Sequence, residues 1–528
     1  MFAQYVRPGW NTRSVLATLV VLLASIPLIY VLYSSSELNL PQWASLWSVR
    51  LPELLTNTLT LALLVAIGSF VLGVSSAWLI TRREFMGRRL AVWLMILPLT
   101  IPTYVFAHIY TTLTEDDGWL GSIWIGIFGP DNYPPELYNV FGAAFILSLA
   151  GFSYVFLLVS DALSRSRVDI EEAAQLHGLS RRQVFWRISL PMLRPAIAAG
   201  LALVVLHVVS DFGAVSMLRF QTFTLSIYLQ MEGRHNLEAA AGLSLVLVLL
   251  SLSFLILERF FRDRQRYYSA AQAQKPKRRA ATGLELILIW CWLGGITLFA
   301  FALPLAWMLA WTYEAWIQSL ITEEFWGYVQ NSLVISVAAA TLATVAALPV
   351  ALFHARLRNR ISQGYLHLAS IGFVLPGPVI ALGILSFVLS MLPWIYGTMI
   401  VLLLAMLIRF LPLAVQAQEA SVQQLSPSIE EAGRSLGARP WENLTRVVIP
   451  VLRTGLVSAW VLVFIDTLKE LPATLLLRPT GFDTLPVRIW IEASEEMLEL
   501  AAPASLMLMI GTLPVIWFLM RQHDAASR

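Results

Sequence analysis

The stretch Glu171–Pro191, EEAAQLHGLSRRQVFWRISLP, returns in near-copy 259 residues later as Glu430–Pro450, EEAGRSLGARPWENLTRVVIP. Both copies are polar and charged, and both interrupt a chain that is otherwise mostly apolar. Of 528 residues, 58% are hydrophobic and 13% charged, where an ordinary soluble domain carries about 25% charged residues. Apolar runs of about twenty residues recur along the whole length, each long enough to cross a hydrocarbon core about 30 Å thick. The chain therefore reads as an all-α polytopic membrane protein. Twelve spans are expected, near 14–33, 57–80, 89–113, 139–162, 195–217, 237–258, 284–312, 331–354, 365–391, 394–416, 455–477 and 499–520. The first follows Arg7 and Arg13, but no small-residue cleavage site succeeds Tyr33, so it reads as a retained span and not a signal peptide. The sole cysteine, Cys291, lies inside a span, which leaves no disulfide framework and no thiolate metal site. A net charge of +3 in such a chain is no nucleic-acid signal, because basic residues here mainly set orientation.

With the N-terminus in the cytoplasm, the cytoplasmic segments hold 29 of the 36 lysines and arginines. That bias places both termini, and both cassettes, on the cytoplasmic side. The polar, basic segment 262–282 reads as a linker between two six-span halves, 1–261 and 283–528. The halves match beyond the cassette. LTNTLTLALLVAIGSFVLGVSSAWLITR, from Leu55, corresponds to VQNSLVISVAAATLATVAALPVALFHAR, from Val329, pairing Asn57 with Asn331 and Arg82 with Arg356. An even number of spans per half makes this a parallel repeat about an axis along the membrane normal.

Each cassette reads as helix, glycine break, helix, then a proline at the start of the next span. Glu171 to His177 has helical composition, and Gly178 can take the left-handed conformation that ends a helix. In the second copy Gly437 and Pro450 correspond to Gly178 and Pro191, with Ser426 or Ser428 as N-cap. A short helix lying across the membrane face with a charged outer side suits a cytosolic partner. An interfacial helix that only touched headgroups would need no matched second copy. Two copies favour a partner with two-fold symmetry.

The pattern EAA, three residues, Gly, nine residues, I-x-L-P resembles the signature of permease subunits of binding-protein-dependent ABC importers. Here it runs Glu172-Ala173-Ala174, Gly178, Ile188 to Pro191, and again Glu431-Ala432-Gly433, Gly437, Val447 to Pro450. The resemblance implies two tandem six-helix halves in the type I ABC importer permease fold, set in the bacterial inner membrane. It implies that the cassettes, through Glu171, Glu172, Ala173, Gly178 and Pro191 and through Glu430, Glu431, Ala432, Gly437 and Pro450, are coupling helices seated on a cytosolic ABC ATPase homodimer. An external substrate-binding protein is the implied third component. No Gly-Lys-Ser/Thr phosphate loop occurs, and none of Lys275, Lys277 and Lys469 follows a glycine. The chain is thus expected to be no enzyme, to need no cofactor, and to take its ATPase from another subunit.

LPLTIPTYVFAHIY, GFSYVFLL, DFGAVSMLRFQTFTLSIY and KELPATLLLRPTGFDTLPVRIW, from Leu97, Gly151, Asp211 and Lys469, resemble stretches of ferric-iron permeases. Thiamine and polyamine importers are the alternatives within the class. At the cassette offset, His207 corresponds to Asp466 and Asp211 to Glu470, each pair spaced i, i+4 on its span. Intramembrane ionisable groups are costly and face a path or a partner, so these four are candidates for the translocation path or its gate. Lys469 beside Glu470 also permits a purely structural pairing, and no metal-ligand set is assigned. Tyr104 and Tyr154 could offer phenolic oxygens, but read first as packing residues, as do His108, His354 and Arg409. A twelve-span secondary carrier of the major-facilitator type would explain the halves but not the paired cassettes.

Overall fold

The computed structural model describes residues 12–164, 168–263, 278–357 and 359–526. Among them, nine helices are long and apolar enough to span a membrane: Ser14–Ser36, Leu40–Arg82, Val140–Ser164, Arg182–Ser210, Leu237–Ile256, Leu284–Ile317, Glu323–Leu357, Met399–Gln424 and Pro440–Leu468. Two bent pairs, Arg88–Thr100 with Thr103–Phe128 and Arg360–Phe373 with Gly377–Met391, supply spans 3 and 9. The apolar stretch Leu498–Pro514 occupies the place of span 12.

Three expectations need correction. Spans 3 and 9 are not straight: they bend by 94° and 106° at their breaks. Pro102 and Pro376 sit at those breaks, immediately before the helices that start at Thr103 and Gly377. A proline biases the residue before it away from helix, which explains a break there. Spans 5 and 11 do not begin at Pro191 and Pro450. Their helices run through both prolines, widening to π turns at Phe185–Ser189 and Leu444–Val448 just before each one. Proline lacks an N–H and its ring crowds the carbonyl four residues back; one wider turn accommodates both without ending the helix. Finally, both spans stop earlier than expected, at Ser210 and Leu468. Asp211 and Glu470 therefore lie just past the helix ends.

Small residues set the packing of the first half. Along span 2, Leu59, Leu63, Ile67 and Val71 are exposed at helical spacing, as a lipid-facing stripe is. The opposite face approaches span 4 so closely that a Cβ on Gly73 would lie 2.7 Å from the Cβ of Val155. Apolar surface gains little from leaving lipid for protein, so such close backbone packing is what holds spans together. The first span of each half lies on the other half. Span 1 packs against spans 8 and 9, with the Thr18 and Tyr365 hydroxyls 2.9 Å apart. Span 7 packs against the first half: the Phe299 carbonyl accepts from the Tyr110 hydroxyl and Trp307 meets His108 edge-on.

The repeat is structural as well as sequential. Near the start of spans 2 and 8, Asn57 donates to the Gln221 carbonyl at 2.9 Å and Asn331 to the Asp483 carbonyl at 3.0 Å. Each asparagine ties its long span to the loop between the two short helices that follow span 5 or span 11, Gly213–Met217 and Phe223–Tyr228 in the first half and Pro472–Leu477 and Leu485–Ser494 in the second. Most of the expected linker, residues 264–277, lies outside the described residues. Its end is anchored: Arg279–Ala280 pairs in parallel with Arg83–Glu84, and Arg83 meets Glu285 at 2.6 Å.

Candidate functional site

The cassette helices are Val168–Leu176 and Pro427–Ser435. Each ends on a left-handed glycine, with φ +87° at Gly178 and +82° at Gly437. The closing hydrogen bonds are the same in both. Leu179 N–H donates to the Ala174 carbonyl and Ala438 N–H to that of Gly433, each at 3.1 Å. This six-to-one bond reverses the chain tightly enough to bring the second helix back against the first. Neither Ser426 nor Ser428 makes a side-chain cap; they bond to each other at 2.7 Å, and Ser426 occupies the N-cap position.

The two glutamates of each cassette differ in role. Glu171 turns inward, its Oε1 taking Arg82 Nη2 at 2.6 Å and the Ser189 hydroxyl at 2.9 Å. Glu430 does the same: its Oε1 takes Arg356 Nη2 at 2.7 Å and Nε at 3.2 Å. Asn443 adds a bond to the Glu430 carbonyl at 3.0 Å. The arginines are last-turn residues of spans 2 and 8, so each clamp fixes a cassette to the C-terminal end of a membrane helix. The sequence had matched Arg82 with Arg356 as repeat markers only. Their partners lie 89 and 74 residues away, beyond any local spacing rule, and only the shared repeat hinted at a common task. Glu431, Ala432 and Ala173 are exposed on the outer side. The side chain of Glu172 is outside the described residues. Each cassette also presents a bare leucine there, Leu176 at 89% exposure and Leu436 at 88%. Sequence reasoning passed over both, although an apolar residue on an otherwise polar face was a usable signal.

The second group lies where the halves meet. Asp211 is saturated: Thr103 donates to Oδ2 at 2.6 Å, and the N–H groups of Ala214 and Val215 reach Oδ1 at 2.9 and 3.3 Å. It caps the short helix Gly213–Met217. Glu470 caps the matching helix Pro472–Leu477 through Ala473 N–H at 3.1 Å, and Arg409 Nε lies 2.7 Å from its other oxygen. His207 is exposed, with the Tyr154 ring 6.0 Å away between centroids. Arg409 and Lys469 are within electrostatic reach of His207, and Asp466 is within reach of both cations and of Tyr154. Lys469 Nζ crosses between halves to the Leu99 carbonyl at 3.2 Å. Span 5 packs on spans 2, 4 and 6 and span 11 on spans 8, 10 and 12, so these groups approach one another from two separately packed halves. Among the described residues no three His, Cys, Asp or Glu side chains converge as a metal site.

The family model for the binding-protein-dependent transport system inner membrane component matches residues 69–267 and again 347–524. The chain belongs to that family. It is a multi-pass inner-membrane importer permease with two permease domains fused in tandem. The Fe(3+)-transport system permease protein FbpB 2 of Haemophilus influenzae is 31% identical over 98% of each chain. A putative ferric transport system permease protein, FbpB 1, from the same organism is 27% identical over 84% of this chain and 72% of its own. A solved bacterial ABC transporter involved in the import of the acidic polysaccharide alginate aligns at 20% identity over 44% of this chain and 85% of its own, with a TM-score of 0.38. The fused permease thus resembles the ferric-iron permeases over nearly its full length.

Proposed function

We propose that this permease forms the translocation path of an ATP-driven importer of ferric iron. The halves 1–261 and 283–528, joined by 262–282, would rock between inward- and outward-open states, with both termini in the cytoplasm. Glu172, Ala173 and Leu176 on one cassette, and Glu431, Ala432 and Leu436 on the other, dock on a cytosolic ATPase homodimer. Gly178, Gly437, Pro191 and Pro450 shape the docking helices, while Glu171 and Glu430 transmit force through Arg82 and Arg356. An external binding protein delivers the cargo, and His207, Asp211, Asp466 and Glu470 belong to the path or its gate.

The observation that carries the coupling role is the duplicated clamp. A motor that pulls on a surface helix does work only if the helix is rigidly joined to the spans, and the Arg–Glu pair joins it twice in the same way. The ferric cargo rests on the relatives' names together with their coverage of the whole chain. The test is uptake of radiolabelled ferric iron by iron-limited cells with and without the gene. A saturable component, restored by the intact gene but not by one with bulky residues at both Gly178 and Gly437, supports the proposal. Uptake that is indifferent to the gene, in cells lacking another iron system, removes ferric iron as cargo. Loss of ATPase co-purification from the double-glycine variant tests docking separately.

A further inference from the structure

The end of span 2 remote from its cassette carries positive charge that no described side chain answers. The helical body there begins at Leu40 and runs on through the π turn Leu46–Arg50. It meets the turn that precedes span 6 across a cleft of about 390 Å³, whose lining includes Gln42, Arg50, Gln230 and Arg234. Gln42 is occupied: it closes the cap of its own helix with Asn39 and reaches Glu238 at 3.5 Å. The two guanidiniums are not. Arg50 is half-buried and Arg234 exposed, and neither has an ion-pair or hydrogen-bond partner among the described residues. Gln230 is only 8% exposed, and its carboxamide likewise makes no hydrogen bond among them. A buried amide left unpaired is costly, and one set in a cleft with two uncompensated cations marks a place for a ligand that accepts hydrogen bonds.

The second half shows the same place neutralised from within. The matching bonds of Asn57 to Gln221 and Asn331 to Asp483 put Arg50 in correspondence with Glu324, Ser226 with Arg488 and Gln230 with Glu492. Glu492 is buried against Arg488, Oε1 to Nη2 at 2.8 Å. The first half keeps a neutral amide at that buried position and two unpaired arginines around it, so its counter-charge comes from outside the chain.

Phosphate is the anion this set fits. A guanidinium can hold two phosphate oxygens at once, and a carboxamide N–H can take another. Position decides what carries the phosphate. Arg50 lies seven residues before the apolar run that starts at Asn57, about 10 Å along a helix, which is headgroup depth outside a hydrocarbon core about 30 Å thick. Leu46 and Val49 form an apolar wall in the same cleft. Leu40 and Trp47 stand exposed on the same segment, and tryptophan is an anchor of membrane interfaces. The cleft has the size of a small-molecule site, more room than one acidic side chain of a docking protein fills.

We infer that this cleft holds the phosphate of an anionic membrane lipid between Arg50 and Arg234, with the Gln230 amide as a further donor. Basic pockets between membrane helices take such headgroups. The lipid joins the start of span 2 to the approach of span 6 and relieves the repulsion between the two arginines. The inference is independent of the cargo.

The test uses the full chain in mixed micelles titrated with phosphatidylglycerol, with retained lipid counted by native mass spectrometry. Wild type should keep one phosphatidylglycerol that the double variant Arg50→Gln with Arg234→Gln binds about ten-fold more weakly. Phosphatidylcholine should bind both alike. Gln230→Glu supplies the carboxylate that the second half has, so it should pair with the arginines and displace the lipid, while Arg50→Lys should keep most of it. Thermal unfolding in phosphatidylcholine micelles should match between wild type and the double variant, since neither arginine has a partner to lose. Equal retention of phosphatidylglycerol by wild type, the double variant and Gln230→Glu overturns the inference. So does inorganic phosphate if, without lipid, it raises the unfolding temperature as much as phosphatidylglycerol does, because the cleft is then a site for a soluble anion. A double variant that keeps the lipid but loses stimulation of ATP hydrolysis by the binding protein also overturns it, and turns the arginines toward a protein.

Discussion

Replacing Arg356 by methionine tests whether the cassette is mechanically part of the membrane domain. The change keeps the length of the side chain and removes its charge, leaving Glu430 buried at 5% exposure with its main partner gone. Breaking a fully buried pair in this way costs about 3–5 kcal/mol. Here Arg356 is itself 22% exposed and Arg434 remains 3.7 Å from the other carboxylate oxygen, so roughly half that cost, ~2 kcal/mol, is expected. The loss falls on local docking, because the clamp joins one surface helix to one span and the core of the half lies elsewhere. With about 1.4 kcal/mol per factor of ten, amides in the helix Pro427–Ser435 should exchange with deuterium ~30-fold faster in the full chain. Amides in the middle of span 8 should not change. The charge-free double variant Arg356→Met with Glu430→Gln should recover most of the protection, since removing both members of a buried pair costs far less than removing one. If the single variant exchanges within two-fold of wild type, or if the double variant is as labile as the single, the clamp does not hold the cassette and force must reach the spans by another route.

In the first half, Arg82→Met should loosen Val168–Leu176 at least as much as Arg356→Met loosens its counterpart, because Arg82 is only 8% exposed; the same exchange measurement decides. Gly437→Ala meets no atom within 4 Å of the added Cβ but must hold φ at +82°, a strain of about 1–2 kcal/mol. ATP hydrolysis should then persist while transport per ATP falls, and equal coupling in the variant would show that this turn is not under load. Asp211→Ala should cost about 1 kcal/mol as a lost helix cap, and Asp211→Asn much less, since an amide oxygen can still accept from Ala214. Thermal unfolding in detergent ranks the two, and equal losses would mean that the charge, not the cap, is what matters. Gly73→Ala pushes a methyl to 2.7 Å from Val155 and should lower the unfolding temperature measurably, as overpacking costs about 1–3 kcal/mol.

The spans were legible because a run of about twenty apolar residues has few alternatives in a chain this poor in charge. The cassettes were legible because polar residues in such a chain need a reason, and two copies at one offset supply it. What local patterns missed was where helices stop. Pro191 and Pro450 look like starts because proline favours the first turn of a helix, yet a single π turn lets the helix run through from the cassette. Asp211 and Glu470 look like face-sharing partners of His207 and Asp466 by their i, i+4 spacing. That holds only while the helix continues, and it ends at Ser210 and Leu468. Arg409 reads as a packing residue in the sequence because its partner, Glu470, lies just past the end of span 11, 61 residues away. Spacing rules see one element at a time; each of these sites is made by two.

The repeat is kept and lost in a pattern that itself bears on function. At the start of spans 2 and 8 Asn57 and Asn331 make the same bond, and at their far ends Arg82 and Arg356 hold the same glutamate above the same left-handed glycine. Between those ends the halves diverge. His207 faces Asp466 at the cassette offset, Ala150 stands where the second half has Arg409, and Thr103, which binds Asp211, corresponds to Gly377 beside Glu470 and Arg409. On the proposed docking, a partner with two-fold symmetry rewards identical contacts on both halves and would keep the ends alike. A cargo that passes singly between the halves has no such symmetry, and each wall can meet it with different chemistry. Fusion into one chain permits this, because the two walls are then encoded separately. A homodimer of one half would have had to place two copies of Arg409, or none, where the halves meet.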